Sequence, residues 1–269
     1  MIFQVQSKSL SAKVELDGDH YGESYWQRIA DRKYEPDTIG FIEDQCNTNV
    51  DFMDIGAANG AMTLIAASRG ARVSAYEPDP RIHSVIARNI KLNPDLEPLI
   101  TVHKKAISAE SGTLKFRKDE DSAVLSSIVF TGHDASTEVE IEKVSLKEEI
   151  ENFHQNNSRR LILKMDIEGA EWGILRSVEI LKCLSLHKST LLLAVHPGFY
   201  RPFVPKMRGL DNIRRVIWHM RNFSESLMVF TLVNKFGNIR RTNLDRVRNR
   251  KQFATLILGG YYEFIVEFH

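Results

Sequence analysis

Hydrophobic positions along this chain follow two rhythms. Short apolar runs at 50–55, 72–77, 99–107, 161–166 and 190–196 alternate with stretches whose apolar residues recur at helical spacing. "LILKMD" and "LLLAVH" are nearly continuous apolar runs, the pattern of central strands covered on both faces. Such alternation predicts an α/β fold, a doubly wound and mostly parallel sheet with helices on both sides. One helix fits 60–69 and stops at Gly70, which suits a left-handed C-cap. The next starts at Asp79-Pro80, an N-cap followed by proline at the first helical position. Ser145 and Glu148 have capping-box spacing, and Ile174, Leu175, Val178 and Leu181 share one face of a helix over 169–182.

The ends of the chain read differently. Residues 21–33 have a helical pattern and lead through "YEPD" at 34–37 into another helix. The tail carries "SLMVFTLVNKFGNIRR" and "ATLILGGYYEFIVEFH", read as strands with glycine turns and no full helix between them. They predict a C-terminal antiparallel strand pair on the same sheet. No linker interrupts the chain, so one domain is expected over 1–269. It comprises an N-terminal helical cap (1–47), a core carrying the ligand turn (48–200), and a basic helix with the terminal strands (201–269).

Composition changes this picture little. With 43% hydrophobic and 26% charged residues and a net charge of +1, the chain reads as a soluble globular protein. Runs such as "LLLAV" at 191–195 are too short to span a bilayer, and the start lacks a signal-peptide pattern, so a cytoplasmic setting is expected. Cys46 and Cys183 are the only cysteines, which argues against a disulfide framework or a structural zinc. The charge is uneven, however. From Arg201 to Lys251 there are 13 Lys and Arg against three acids, Asp211, Glu225 and Asp245. That stretch is either a solvated face or an attractor for an anionic partner.

The candidate chemistry starts at "FMDIGAANGAMTLIAASRGARVSAYEPDP", residues 52–80. Asp54 ends the first strand, Gly56 and Gly60 bracket a turn, and Glu77 closes the next strand against Pro78. Ligands of doubly wound sheets bind beyond the strands' carboxyl ends, where glycine lets backbone approach closely. A dinucleotide turn would read GxGxxG and offer amides to a pyrophosphate. Here the order is DxGxxxG, with an acid at the mouth that repels phosphate and suits a cation. S-adenosylmethionine, bearing an α-ammonium and a sulfonium but no phosphate, fits better, and Glu77 would accept its ribose hydroxyls. The candidate donor residues are Asp54, Gly56, Ala57, Asn59, Gly60, Glu77, Pro78 and Asp79. A second motif, "LKMDIEGAEWGIL" at 163–175, ends a buried strand at Asp166, followed by Glu168, Gly169 and Glu171. These acids either converge on the same crevice or cap the next helix. Lys164 is expected to pair with a neighbouring acid.

"DIGAANG", "YEPDP", "KMDIEGAEWGIL" and "AVHPGF", in this order, resemble the FkbM family of S-adenosylmethionine-dependent methyltransferases. The resemblance covers roughly residues 34–200 and includes the entry segment "YEPD". It implies a Rossmann-like class I methyltransferase fold and O-methylation of hydroxyls, often on sugars or polyketides. Two positions depart from the family pattern. The turn reads Gly56-Ala57-Ala58-Asn59 where GAN is common, and Ala194 stands where an acid often precedes the histidine of "AVHPGF".

Methyl transfer is an in-line displacement, and an alcohol must lose its proton to act as nucleophile. His196 or Asp166 could take that proton, with Glu168 beside them. Asp166, Glu168 and His196 also offer ligands for Mg, Mn or Zn, yet no HxxxH or HExxH spacing accompanies them, so no metal is expected. Tyr25, Trp26, Phe199 and Tyr200 either line an acceptor pocket or pack in the interior. The expected acceptor is a sugar, glycan or other hydroxyl-bearing molecule. Arg208, Arg214, Arg215, Arg240, Arg241, Arg246, Arg248 and Arg250 could grip an anionic form of it. RNA is the alternative acceptor, although no NPPY-like motif or RNA-binding module is found. A non-catalytic nucleotide-binding module is the other alternative.

Overall fold

The computed structural model describes residues 1–7, 10–16, 21–117, 138–155, 158–167, 169–195, 223–241, 246–258 and 263–269. His196, Glu168, Phe199, Tyr200, Arg208, Arg214 and Arg215 lie outside the described residues.

Among the described residues the central sheet has seven strands. Five are parallel and match the apolar runs: β3 (Val50–Ile55), β4 (Arg72–Tyr76), β5 (Ile100–His103), β9 (Arg160–Met165) and β10 (Thr190–Ala194). From β3 the chain winds outward to β4 and β5, then returns to place β9 and β10 on the other side of β3. The direction of winding therefore reverses between β3 and β9, which opens a crevice at their carboxyl ends. The terminal pair is also present. β12 (Glu263–Phe268) runs antiparallel to β10, and β11 (Gly237–Arg241) runs antiparallel to β12 at the sheet's edge.

Alternation along the strands separates two apolar cores. Phe52, Ile162, Leu192 and Ile265 face α1 (Glu23–Ala30), α2 (Pro36–Gln45) and α3 (Ala61–Ser68), around the fully buried Trp26. Met53, Leu163, Leu191 and Phe264 face the opposite side, around Trp172. On the first of these faces the register aligns one row across the sheet. Asp54, Lys164, Leu192, Ile265 and Arg240 are successive neighbours, and Arg246 bridges Arg240 at the edge.

Four local expectations need correction. The first 16 residues do not belong to a helical cap; β1 (Ile2–Gln6) and β2 (Ser11–Glu15) form an antiparallel hairpin ahead of α1 and α2. The outer edge of β2 is satisfied by side chains of α4 (Pro80–Lys91) and the turn after it. Asn89 Oδ1 accepts from Glu15 N at 2.7 Å, and Asn93 Oδ1 accepts from Lys13 N at 2.8 Å. The helix expected over 169–182 is two helices, α6 (Glu171–Leu175) and α7 (Val178–Leu186), because Ser177 caps the second one and turns Val178 outward. The tail does contain helix: residues 223–233 (α8) and α9 (Arg250–Leu258), the latter lying between β11 and β12. Finally, Ser145 makes no side-chain cap on α5 (Leu146–Phe153). Ser111 stands between the two, accepting from Ser145 N at 2.9 Å and donating to Glu148.

A smaller sheet of β6 (Ala106–Ser108), β8 (Glu138–Ser145) and β7 (Gly112–Arg117) flanks the core. At the amino end of β3, away from the crevice, buried Asp51 binds the Arg72 and Arg159 guanidiniums, and His154 Nδ1 lies 2.9 Å from Asp51 Oδ2. Burial alone would raise the Asp51 pKa, but these hydrogen bonds outweigh it and hold the carboxyl below its ordinary value. Among the described residues no helix is long and apolar enough to cross a membrane.

Candidate active site

The glycine turn forms as its sequence demands. Gly56 and Gly60 have φ of 82° and 87°, a region that disfavours a Cβ. Packing also requires them. A Cβ on Gly56 would fall 2.0 Å from the Asp166 carbonyl oxygen, and one on Gly60 would fall 2.7 Å from Ile86 Cγ1. Gly56 is thus the place where the first motif touches the second. Asp166 N also donates to the Ile55 carbonyl at 3.0 Å. Strand register brings together two acids that are more than 100 residues apart in the chain.

Asp54 is fully buried. Thr63, in the first turn of α3, donates to its Oδ2 at 2.6 Å, while Oδ1 has no hydrogen-bond partner among the described residues. Burial raises the Asp54 pKa, and the nearby Lys164 charge opposes that rise. Asn59 is also buried. Its Oδ1 receives Tyr25 Oη at 3.3 Å and its Nδ2 is unpartnered among the described residues, while Asn89 holds its backbone carbonyl at 3.0 Å. A lone acceptor and a lone donor therefore sit buried in one turn. Groups of this kind are costly to leave unmet, and a bound ligand would meet them.

Glu77, at the end of β4, accepts from Ala58 N at 3.0 Å and Asp79 N at 2.9 Å, so it braces the turn from the far side. Burial pushes its pKa up to about 7, with Asp79 and Asp54 adding to the rise against those two hydrogen bonds. Asp79 caps α4 through Arg81 N at 2.8 Å and pairs with the Arg81 guanidinium. Ala57 is buried and Pro78 half-buried beside it.

Asp166 lies just past β9, with one carboxylate oxygen 3.1 Å from the buried Lys164 Nζ. Three further residues gather here that the motifs did not identify: Thr63, Glu35 and Glu263. Glu35 precedes α2 in a left-handed conformation, φ 40° and ψ 56°. It lines a small cavity with Thr38, Lys164, Ala194 and Glu263. Thr63 was findable, being one helical turn past Gly60. Glu35 stands within "YEPD". Glu263 has no local signature. Of the aromatic candidates, Trp26 is core, whereas Tyr25 packs against Tyr21 and Tyr34 and reaches the turn through Asn59. No cluster of His, Cys, Asp and Glu among the described residues could hold a metal.

The family model of the methyltransferase FkbM domain matches residues 54–201, more than half of the chain. Among solved structures, the FkbM methyltransferase of Methylobacillus flagellatus KT is similar at 16% identity and a TM-score of 0.43, over 83% of this chain and 44% of that one. The chain thus spans less than half the length of that protein. An O-methyltransferase of Bacillus cereus in complex with S-adenosylhomocysteine aligns at 12% identity and a TM-score of 0.40, over 93% and 83% of the two chains. A putative rRNA methylase of Clostridium thermocellum aligns at 9% identity and a TM-score of 0.39, over 86% and 92%. No curated protein sequence matches the chain.

Proposed function

Because the chain belongs to the FkbM family of S-adenosylmethionine-dependent methyltransferases, we propose that it methylates a hydroxyl oxygen, most readily one on a sugar or glycan. The donor supplies an electrophilic methyl group on a sulfonium. The residues present fit it. Asp54 Oδ1 is a buried carboxylate oxygen awaiting a donor group, suited to the α-ammonium, and Glu77 offers carboxylate oxygens suited to ribose hydroxyls. Gly56, Ala57, Asn59 and Gly60 would shape the turn around the ligand, and Pro78 and Asp79 would fix the far wall.

One observation carries the acceptor side: Asp166 is in backbone contact with the donor turn at Gly56. A carboxylate placed there can accept the proton of an incoming hydroxyl and orient its oxygen. Glu168 and His196, which come two residues after Asp166 and Ala194 in the sequence, are proposed as its companions. Incubation of the protein with tritiated-methyl S-adenosylmethionine and a panel of methyl glycosides, uronic acids, sugar phosphates and total RNA tests the reading. Label in a glycoside, uronic acid or sugar phosphate supports it. Label confined to RNA, or in no acceptor, overturns it.

The nucleic-acid reading keeps one observation in its favour. Arg240 and Arg246 sit directly opposite each other on the sheet edge; Arg240 pairs with Glu267 at 3.2 Å, and Arg246 lines a surface cavity with Arg248. A phosphate would be drawn to these guanidiniums, whether it belongs to an anionic glycan or to RNA. Transfer to RNA that falls steeply with added salt would favour the second reading.

A further inference from the structure

We propose that Lys164 is a positioning residue that keeps the donor-side acid Asp54 and the acceptor-side acid Asp166 both ionised. The inference rests on the donor and acceptor roles given to those two acids above. Lys164 stands beside Asp54 in the β3–β9 register, and both belong to the face packed by α1–α3. Its ammonium reaches Asp166, two residues on, at 3.1 Å, while its side chain is only 8% exposed. A lysine is rarely so enclosed unless it is paired with acids, as here.

Among the described residues, the groups around Lys164 come from four elements or their ends. Tyr34 and Glu35 approach from the entry to α2, Asp54 from β3, Asp166 from the end of β9 and Glu263 from β12, with Asp37 facing Glu263. Among the described residues, four of the carboxylates share this ammonium. Without it, burial and mutual repulsion would drive protons onto the acids. A protonated Asp54 loses its attraction for an α-ammonium, and a protonated Asp166 cannot take a hydroxyl proton. Burial alone would discharge Lys164 as well, but Asp166, Glu35 and Asp54 hold its pKa above the ordinary value. The left-handed backbone of Glu35, directly before Pro36, fits this picture. Glutamate adopts such a conformation only where its surroundings compel it.

Calorimetric titration of S-adenosylhomocysteine tests the proposal without an identified acceptor. Wild type, Lys164→Met and the charge-balanced Lys164→Met/Asp166→Asn are compared from about pH 6.5 to about pH 9. The single variant is expected to bind about tenfold more weakly at the acidic end, with the ratio to wild type narrowing as the freed acids lose their protons. Taking the ratio at each pH cancels titration of the ligand itself. The double variant, which removes one acid together with the cation, is expected within about threefold of wild type. A penalty that stays constant with pH marks a merely structural lysine and overturns the proposal. So does wild-type affinity in Lys164→Met at every pH. If the single variant fails to fold, the double variant decides: weak binding there at all pH values overturns the proposal equally. Failure of wild type to bind S-adenosylhomocysteine would instead remove the donor assignment beneath it.

Discussion

Glu263, the first residue of β12, lies directly opposite Ala194, the last residue of β10, and both border the cavity beneath Glu35. Side chains directly opposite in an antiparallel pair share a face. The methyl of Ala194 leaves room for the longer Glu263 carboxylate, so an acid reaches the level of Asp166 from a strand that is not its nearest neighbour. Moving this acid between the two positions is the corresponding test. Glu263→Ala should lower methyl transfer about tenfold or more with an acceptor found in the tritium panel, within the range of acid–base contributions. Glu263→Ala/Ala194→Asp should recover a substantial part. Equal activity of Glu263→Ala and wild type would show that Glu263 takes no part in the transfer.

Asp54→Asn should weaken S-adenosylhomocysteine binding by about ten- to a hundredfold, the scale of losing a buried charged hydrogen bond. Thr63→Val should act in the same direction and less strongly, because it releases the Asp54 oxygen that Thr63 holds at 2.6 Å. Calorimetry at fixed pH measures both. Unchanged affinity in Asp54→Asn would place the α-ammonium elsewhere.

Gly56→Ala should destabilise the chain severely, by about 3 kcal/mol or more, since strain at positive φ adds to a backbone collision. The colliding atom is the Asp166 carbonyl, which cannot withdraw without moving β9. At Gly60 the obstacle is the Ile86 side chain rather than backbone, so Gly60→Ala should cost less than Gly56→Ala. Thermal unfolding ranks the two variants.

With Glu77 in its proposed place at the ribose, its raised pKa of about 7 should make donor binding depend on pH. The folded value lies above the unfolded one, so the folded chain binds this proton more tightly, and the Glu77 contribution to stability is lost as pH rises from about 4.5 through about 7. Ligand binding should run the other way. Ionised Glu77 accepts ribose hydroxyls better, so affinity should increase through neutral pH. Glu77→Gln should flatten that rise, and titrations on both sides of neutrality check it.

Much of the donor turn was legible because its parts are local. Asp54 through Gly60 and the Asp79-Pro80 cap lie within about one strand–turn–helix unit, where backbone preferences act over a few residues. The meeting of Lys164 with Asp54, Glu35 and Glu263 was not legible. It depends on register between strands far apart in the chain, which no spacing encodes. The hairpin of β1 and β2 escaped because its five-residue strands resemble any short polar-apolar alternation. The tail misled for a related reason. Gly259-Gly260 reads as a hairpin turn, although α9 precedes it. The break at Ser177 was a capping effect that apolar periodicity hides.

The asparagines that close the edge of β2 determine how the chain can usefully be shortened. The stretch recognisable as a methyltransferase starts at Asp54, inside β3, and omits the hairpin, β11 and β12. A fragment trimmed to that stretch would still carry Asn89 and Asn93 but not the backbone groups they bind at Lys13 and Glu15. Asn89 is also the residue that grips the Asn59 carbonyl in the donor turn. Removing the first 16 residues would therefore loosen that turn by way of Asn89. An inactive fragment would then report a missing brace rather than a missing catalyst, and assays of this protein should be run on a chain that retains the hairpin.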